Sequence, residues 1–330
     1  MHFSGVTSSL KKIPQYHSYL KQAGDTQIPR FKWVFFLETI VSSLIYGTSF
    51  SEFAGYGFYK KNGASKRAYM TRRYMFDFFD KYNPIEYRER IGNKAQAKQY
   101  YSQFLQREQF EYEQGEESFY RFVEKHPRIF IKKKIGWGGD GARIEMIDSH
   151  EKAQEIWQTL SKNYVVEPVL ENHPDIKKVN PDCLNTIKVT TLFLNDGPEI
   201  QSAIIRFGNR SIVDNVHSGG IAAGINLETG RIETEAIDRH FKRYQNHPVT
   251  NEPILGSSIP MWTEVKQLAE QAASVTPEIR YASWDIAVTP LGPVLIEGNW
   301  DAEFKADQML YDRGSRKRYI EKLERKKDRT

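Results

Sequence analysis

The stretch Trp284 to Trp300, WDIAVTPLGPVLIEGNW, carries Asp285, Glu297 and Asn299 near the ends of two strand-like runs joined by a Pro/Gly turn. Trp284, Ile286 and Val288 alternate with Asp285, Ala287 and Thr289; Val294 and Ile296 alternate with Leu295, Glu297 and Asn299. That is the period of strands. If the loop is Pro290-Leu291-Gly292, Thr289 faces Pro293 and Asp285 falls opposite Glu297, with Asn299 two residues on along the same face. A four-residue loop would part the carboxylates, so the expectation hangs on register. Two carboxylates and an amide oxygen are hard ligands suited to Mg²⁺ and its phosphate partners. The competing reading is an ordinary amphipathic hairpin with its acids in water.

Cationic residues and glycines elsewhere suit an anion. Arg128 to Lys133 (RIFIKK) reads as a strand, followed by Ile135 to Gly141 (IGWGGDG) and a second strand, ARIEMI. Gly136, Gly138 and Gly139 let backbone N–H groups approach an anion closely, and an adjacent lysine adds charge. A P-loop or dinucleotide fingerprint would lead into a helix instead. The construction suits a flap over a triphosphate, or else a plain hairpin tip. In NYVVEPVLEN, Glu167-Pro168-Val169 breaks a strand ladder, because proline donates no hydrogen bond. Unpaired backbone groups there could read an adenine edge; the alternative is an edge strand entering a loop. Strands over 185–194 and 199–207 put Lys188 and Arg206 at sheet positions, where a half-buried cation needs a carboxylate or phosphate partner. Lys94 opens a helix against the helix dipole, for a functional reason or through simple exposure.

The elements that must position these groups sit in a chain of 330 residues, 39% hydrophobic and 27% charged, with net charge +5. That composition belongs to a soluble globular protein of one large or two modest domains. No nucleic-acid recognition motif accompanies the mild basic excess. Cys183 is the only cysteine, which excludes an intrachain disulfide and fits a cytoplasmic protein; a buried small side chain is expected rather than a nucleophile. His217 has no second histidine at ligand spacing and reads as structural. No signal peptide or transmembrane segment is expected, since Trp33 to Tyr46 is too short to span a bilayer and carries Glu38; it reads as a core helix. Lys11, Lys12, Lys21, Arg30 and Lys32 before it leave peripheral membrane contact as a secondary option. Residues 1–85 read as helical, with one helix resuming after Tyr59 and ending near Asn83-Pro84, and the basic end of the chain as a solvated helical tail.

In order, the strings FIKKKIGWGGDG, NTIKVTTL, RFGNRSIVDNVHSGGI, HPVTNEPILGSSIPMW and WDIAVTPLGPVLIEGN resemble the ATP-grasp superfamily, in its sugar-transfer-associated branch, over about residues 125–300. The resemblance implies an α+β fold whose two lobes clasp ATP. It implies an N-lobe over 86–162 with the glycine flap, a C-lobe over 163–312 with the metal site, an accessory helical region over 1–85 and a basic tail over 313–330. Lys132 matches the lysine that reaches the nucleotide phosphates, with Lys133 and Lys134 as rivals, and Lys94 the earlier lysine of the cleft. Gly136, Gly138 and Gly139 match the flap, Glu167 and Val169 the adenine hinge, and Glu171 a ribose contact. Asp285, Glu297 and Asn299 match the ligands of Mg²⁺, with Mn²⁺ as the alternative ion. Lys188 stands where the branch usually has arginine, which loses bidentate geometry. Trp300-Asp301-Ala302-Glu303 replaces the usual small or Pro/Gly residues on the acceptor side.

Those matches imply an ATP- and Mg²⁺-dependent carboxylate–amine ligase working through an acyl phosphate, with Lys188 and Arg206 as catalytic cations. Its expected substrates are a small carboxylate and an amine, sugar-linked in surface-polysaccharide biosynthesis, with no nucleic acid as partner. The alternatives are a phosphotransferase acting on a sugar hydroxyl, and a nucleotide-binding scaffold in a polysaccharide assembly complex.

Overall fold

A computed structural model describes residues 12–134 and 141–325, apart from the side chains of Lys94 and Ala95. Period-two runs of β-branched and aromatic residues build two antiparallel sheets. The smaller contains β1 (Phe110–Glu111), β2 (Arg128–Lys133), β3 (Arg143–Met146) and β4 (Tyr164–Pro168) in the order β1-β4-β2-β3. The larger contains β5 (Ile187–Leu194), β6 (Gly197–Phe207), β7 (Ile221–Gly224), β8 (Ala236–Ile237), β9 (Arg243–Tyr244), β10 (Tyr281–Thr289) and β11 (Gly292–Asn299). Its order is β11-β10-β5-β6-β7-β8-β9. This is the expected α+β architecture. The sheets divide the chain differently from the expected boundaries: β4 lies in the small sheet, and helices Ile85–Gly92 and Lys94–Leu105 pack on β11 of the large one.

The two faces of the large sheet have different cores. Val189, Ile205, Trp284 and Ile286 pack against helix Trp262–Val275, which offers Val265, Leu268, Ala269 and Ala272 at helical spacing. On the other face Ile204, Ala222 and Ile237 receive Phe35, Phe53, Tyr56 and Phe58 from the N-terminal helices, together with Met309 and Leu310. Gln308 fastens this layer. Its Oε1 accepts from the Met70 and Ser315 amides at 2.8 and 2.9 Å, and its Nε2 donates to Tyr56 Oη and Met70 O, both at 2.9 Å. The N-terminal region is therefore built onto the face of the large sheet that bears Ile204 and Ala222.

Four local expectations are corrected. The hairpin turn is Pro290-Leu291, with Thr289 facing Gly292 rather than Pro293; a bulge between Asp285 and Ile286 then absorbs one residue of β11. The two offsets cancel, so Asp285 still faces Glu297, and Ser283 faces Asn299. All nine residues of β10 are buried, which excludes the reading in which the face bearing Asp285 is solvated. Secondly, helix Lys32–Tyr46 is not a core helix: it buries Phe35, Thr39 and Ser42 and leaves a row of large apolar residues exposed. Thirdly, the stretch after Tyr59 breaks into helices Gly63–Arg67 and Arg72–Tyr82, and fourthly, the tail helix Arg316–Glu324 is no solvated appendage, because Tyr319 and Leu323 are buried with Leu192 and Tyr281.

Truncating Phe53, fully buried where the N-terminal helices meet Ile204 of β6, is expected to cost about 3–5 kcal/mol. Urea unfolding of Phe53→Ala should show the loss in a single transition, because the cluster spans both parts.

Candidate active site

The small and large sheets meet at a cleft of about 230 Å³. Lys132 and Glu167 line it from the small sheet, and Arg206, Asp285 and Glu297 from the large one. On the large-sheet side, Asp285 of β10 lies between Glu297 of β11 and Lys188 of β5 in register. Arg206 Nη2 reaches Asp285 Oδ2 at 2.7 Å and Thr186 Oγ1 at 2.6 Å, and its Nε stands 3.5 Å from Asp214 Oδ2. Asp214 in turn accepts from the Thr186 amide at 2.8 Å. Burial pushes the Asp285 carboxyl up to about 6, against the pull of Arg206 and with help from Glu297 and Asp214. Burial works against the Arg206 charge, but Asp214 and Asp285 raise its pKa overall.

On the small-sheet side, Glu167 is the hub. Lys132 Nζ sits 2.8 Å from Glu167 Oε2, Arg107 reaches both carboxylate oxygens at 3.2 Å, and Gln109 Nε2 donates to Oε1. Arg107 also donates to the carbonyls of Leu295 and Ile296 at 2.7 and 3.1 Å, tying this hub to β11 across the cleft. Burial alone would raise the Glu167 pKa, but the Lys132 and Arg107 charges overturn that and hold it at about 2.

The residues expected from sequence divide into three groups. Lys132, Glu167, Val169, Glu171, Arg206 and the pair Asp285 and Glu297 line one cleft. Lys188 and Asn299 share the face of Asp285 in register but do not line the cleft; Lys188 donates to Glu303 O at 2.9 Å and stands 3.6 Å from Asp307 Oδ2, so its anion partner is a carboxylate of the chain. Gly136, Gly138 and Gly139 and the side chain of Lys94 lie outside the described residues. Of the rival lysines, Lys133 also lines the cleft, whereas Lys134 pairs with Glu111 and Glu113 at 2.8 and 3.2 Å. The hinge expectation needs correction: the Val169 amide is not free but donates to Arg128 O at 3.1 Å. Leu170 and Glu171, next along the chain, line the cleft, and neither amide makes a backbone hydrogen bond among the described residues. Cys183 is buried and its thiol pushed up to about 12, chiefly by burial, which leaves no thiolate to act as nucleophile.

Arg107, Gln109, Thr186 and Asp214 were not singled out from sequence. Asp214 stands in the VDN string and is the one a motif could have marked; Arg107 follows a helix with no local signal, because its role exists only across the two sheets.

The large-sheet side fits a hard divalent cation. Asp285 Oδ1 is buried without a hydrogen bond, a costly state for a carboxylate oxygen. The Glu297 carboxylate, on the residue opposite it, makes no hydrogen bond or ion pair among the described residues. No three His, Cys, Asp or Glu side chains gather as a metal cluster among the described residues, so the protein offers two carboxylates plus the Asn299 amide on the same face.

Glu167→Gln removes a carboxylate whose pKa is depressed from 4.5 to about 2, so at pH 7 the substitution should cost about 3 kcal/mol. The stabilisation is complete above pH 4.5 and is lost as pH falls through about 2. Denaturant midpoints of wild type and variant between pH 7 and pH 3 should therefore converge toward the acid end.

No curated protein matches the chain. Similar solved structures include the ATP-grasp ligase PsnB complexed with a phosphomimetic variant of its minimal precursor, Mg and ADP (14% identity, TM-score 0.42, 71% of this chain and 60% of that one). They also include the D-alanyl-alanine synthetase A of Vibrio cholerae (12%, 0.43, 72% and 62%) and the N5-carboxyaminoimidazole synthase of Aspergillus clavatus in complex with ADP (11%, 0.40, 67% and 47%). The chain spans about 60% of the length of the PsnB ligase. The model of the family described as sugar-transfer associated ATP-grasp matches residues 73–325, and the chain belongs to that family.

Proposed function

We propose that the protein is an ATP- and Mg²⁺-dependent ligase joining a carboxylate to an amine. The observation that carries this reading is one cleft lined by Lys132 on one sheet and by Arg206, Asp285 and Glu297 on the other. Lys132 is the cation for the nucleotide phosphates, with Glu167 and Arg107 fixing its position. The amides of Leu170 and Glu171 are the donors nearest the hinge available to an adenine edge. Asp285 and Glu297 would hold the divalent ion, with Asn299, water and phosphate oxygens completing its shell. Bound there, the ion neutralises charge on the phosphoryl group being transferred. Arg206, charged and hydrogen-bonded to Thr186, stabilises what the ion leaves.

The reaction needs no protein nucleophile. A substrate carboxylate oxygen attacks the γ-phosphorus of ATP and ADP leaves; the amine then adds to the acyl carbon, phosphate departs, and the ammonium proton is released. The family's sugar-transfer association supports substrates that are sugar-linked, within surface-polysaccharide biosynthesis.

The test has two parts. Isothermal titration with a non-hydrolysable ATP analogue should give Mg²⁺-dependent binding, weakened at least about tenfold in Lys132→Ala. ADP release in a screen of sugar acids with amines should fall at least about a hundredfold in Glu297→Gln while its unfolding transition stays near wild type. No analogue binding by the folded wild type overturns the proposal, and a stable phosphorylated product formed without an amine reassigns it to a kinase.

A further inference from the structure

The row of apolar residues on helix Lys32–Tyr46 has no counterpart in the catalytic machinery. Trp33, Leu37, Val41, Leu44 and Ile45, with Phe31 just before the helix, are each between 50% and 70% exposed. At about 100° per residue the five helical positions fall within an arc of about 120°, centred roughly 150° from the direction of Phe35, Thr39 and Ser42, which face the protein. The helix is thus inverted relative to an ordinary surface helix, with small polar residues partly lining its inward face and large apolar ones in water. Thr39 is accommodated there by donating its hydroxyl to Phe35 O at 2.7 Å. A contiguous patch of this kind marks an interaction site.

The surroundings of the patch say what it meets. Phe31 and Trp33 stack at its N-terminal end, 6.3 Å between ring centres, with Arg30 over Phe31. At the C-terminal end Arg73 donates to Leu44 O at 3.2 Å, bringing up helix Arg72–Tyr82 with its exposed Phe76 under Arg72. Lys66 lies over the Tyr46 ring. Between Lys12 and Tyr82 eleven lysines and arginines face five carboxylates, an excess larger than the net charge of +5 on the whole chain. Apolar bulk with aromatic rings at the edge and arginine and lysine around it is the composition of a helix lying in a lipid interface. Two copies docked through this face would bring the same cations together. No helix among the described residues is long and apolar enough to cross a membrane.

We infer that helix Lys32–Tyr46 and its basic rim seat the protein on the surface of an anionic lipid bilayer, with the apolar row at the level of the headgroups and upper acyl chains. The attachment joins two signals, buried apolar area and attraction to negative headgroups, each of which is reversible alone.

Co-sedimentation of the full chain with vesicles tests this. Vesicles of phosphatidylcholine with about one-third phosphatidylglycerol should bind wild type, pure phosphatidylcholine should bind it far less, and about 0.5 M salt should weaken the anionic case. The double variant Leu37→Gln/Leu44→Gln, altered only at exposed positions, should keep the wild-type thermal transition and lose at least about tenfold in partitioning. Arg30→Gln/Lys32→Gln should lose the preference for anionic vesicles. No vesicle binding by folded wild type overturns the inference, as does equal binding by Leu37→Gln/Leu44→Gln. A dimer in solution that this variant dissolves, without vesicle binding, assigns the face to a second copy. Binding to polyglutamate but not to vesicles assigns it to an acidic protein.

Discussion

Arg206 is the group on which the site depends. Asp285 and Asp214 are buried carboxylates that approach the same guanidinium, and two such charges taken from water without a cation would be costly. One guanidinium between them, anchored by Thr186, keeps both acids within a closely packed sheet. Glu167 poses the same problem on the opposite sheet and receives the same solution, with Lys132 and Arg107 as its cations. The cleft therefore has two compensated ionic hubs, one on each wall. Arg107 links them by spending its remaining donors on backbone carbonyls of the strand that carries Glu297.

That compensation explains the asymmetry within the Asp285 carboxylate. Oδ2 belongs to Arg206, whereas Oδ1 is left without a donor. Buried carboxylate oxygens usually have a hydrogen-bond donor. In the proposed reading, a divalent ion would supply the partner that Oδ1 lacks.

Much of this was legible in the sequence, and the failures have physical causes. The alternation in WDIAVT and VLIEGN identified the hairpin, and Asp285 does face Glu297, but through a shorter turn and a compensating bulge that alternation cannot reveal because both change register by one residue. The place before the glycines marks the run Lys132 to Lys134 but does not choose within it: Lys132 and Lys133 line the cleft, and that Lys134 turns away to Glu111 and Glu113 depends on a segment some twenty residues earlier. The Val169 amide could not be seen to be occupied, since its acceptor, Arg128 O, is supplied by the neighbouring strand. Helix Lys32–Tyr46 is recognisable as a helix, but not the side it buries: hydrophobicity normally points inward, and here Phe35 is the one large side chain fully buried, with Phe36, Ile40 and Tyr46 half-buried beside it. In each case local pattern identified the element, while the partner across space decided its role.

The joining of both flanks of the chain in one layer has a consequence for biosynthesis. Phe35, Phe53 and Phe58 are buried only when Ile204, Ala222 and Met309 are present, and Gln308 closes the layer by bonding to Met70 and Tyr56. On the ribosome, residues 35–58 emerge well before those partners, with their aromatic side chains uncovered. The N-terminal helices cannot complete this packing until residue 310 has left the exit tunnel, so their apolar faces stay exposed over most of the time the chain takes to be made.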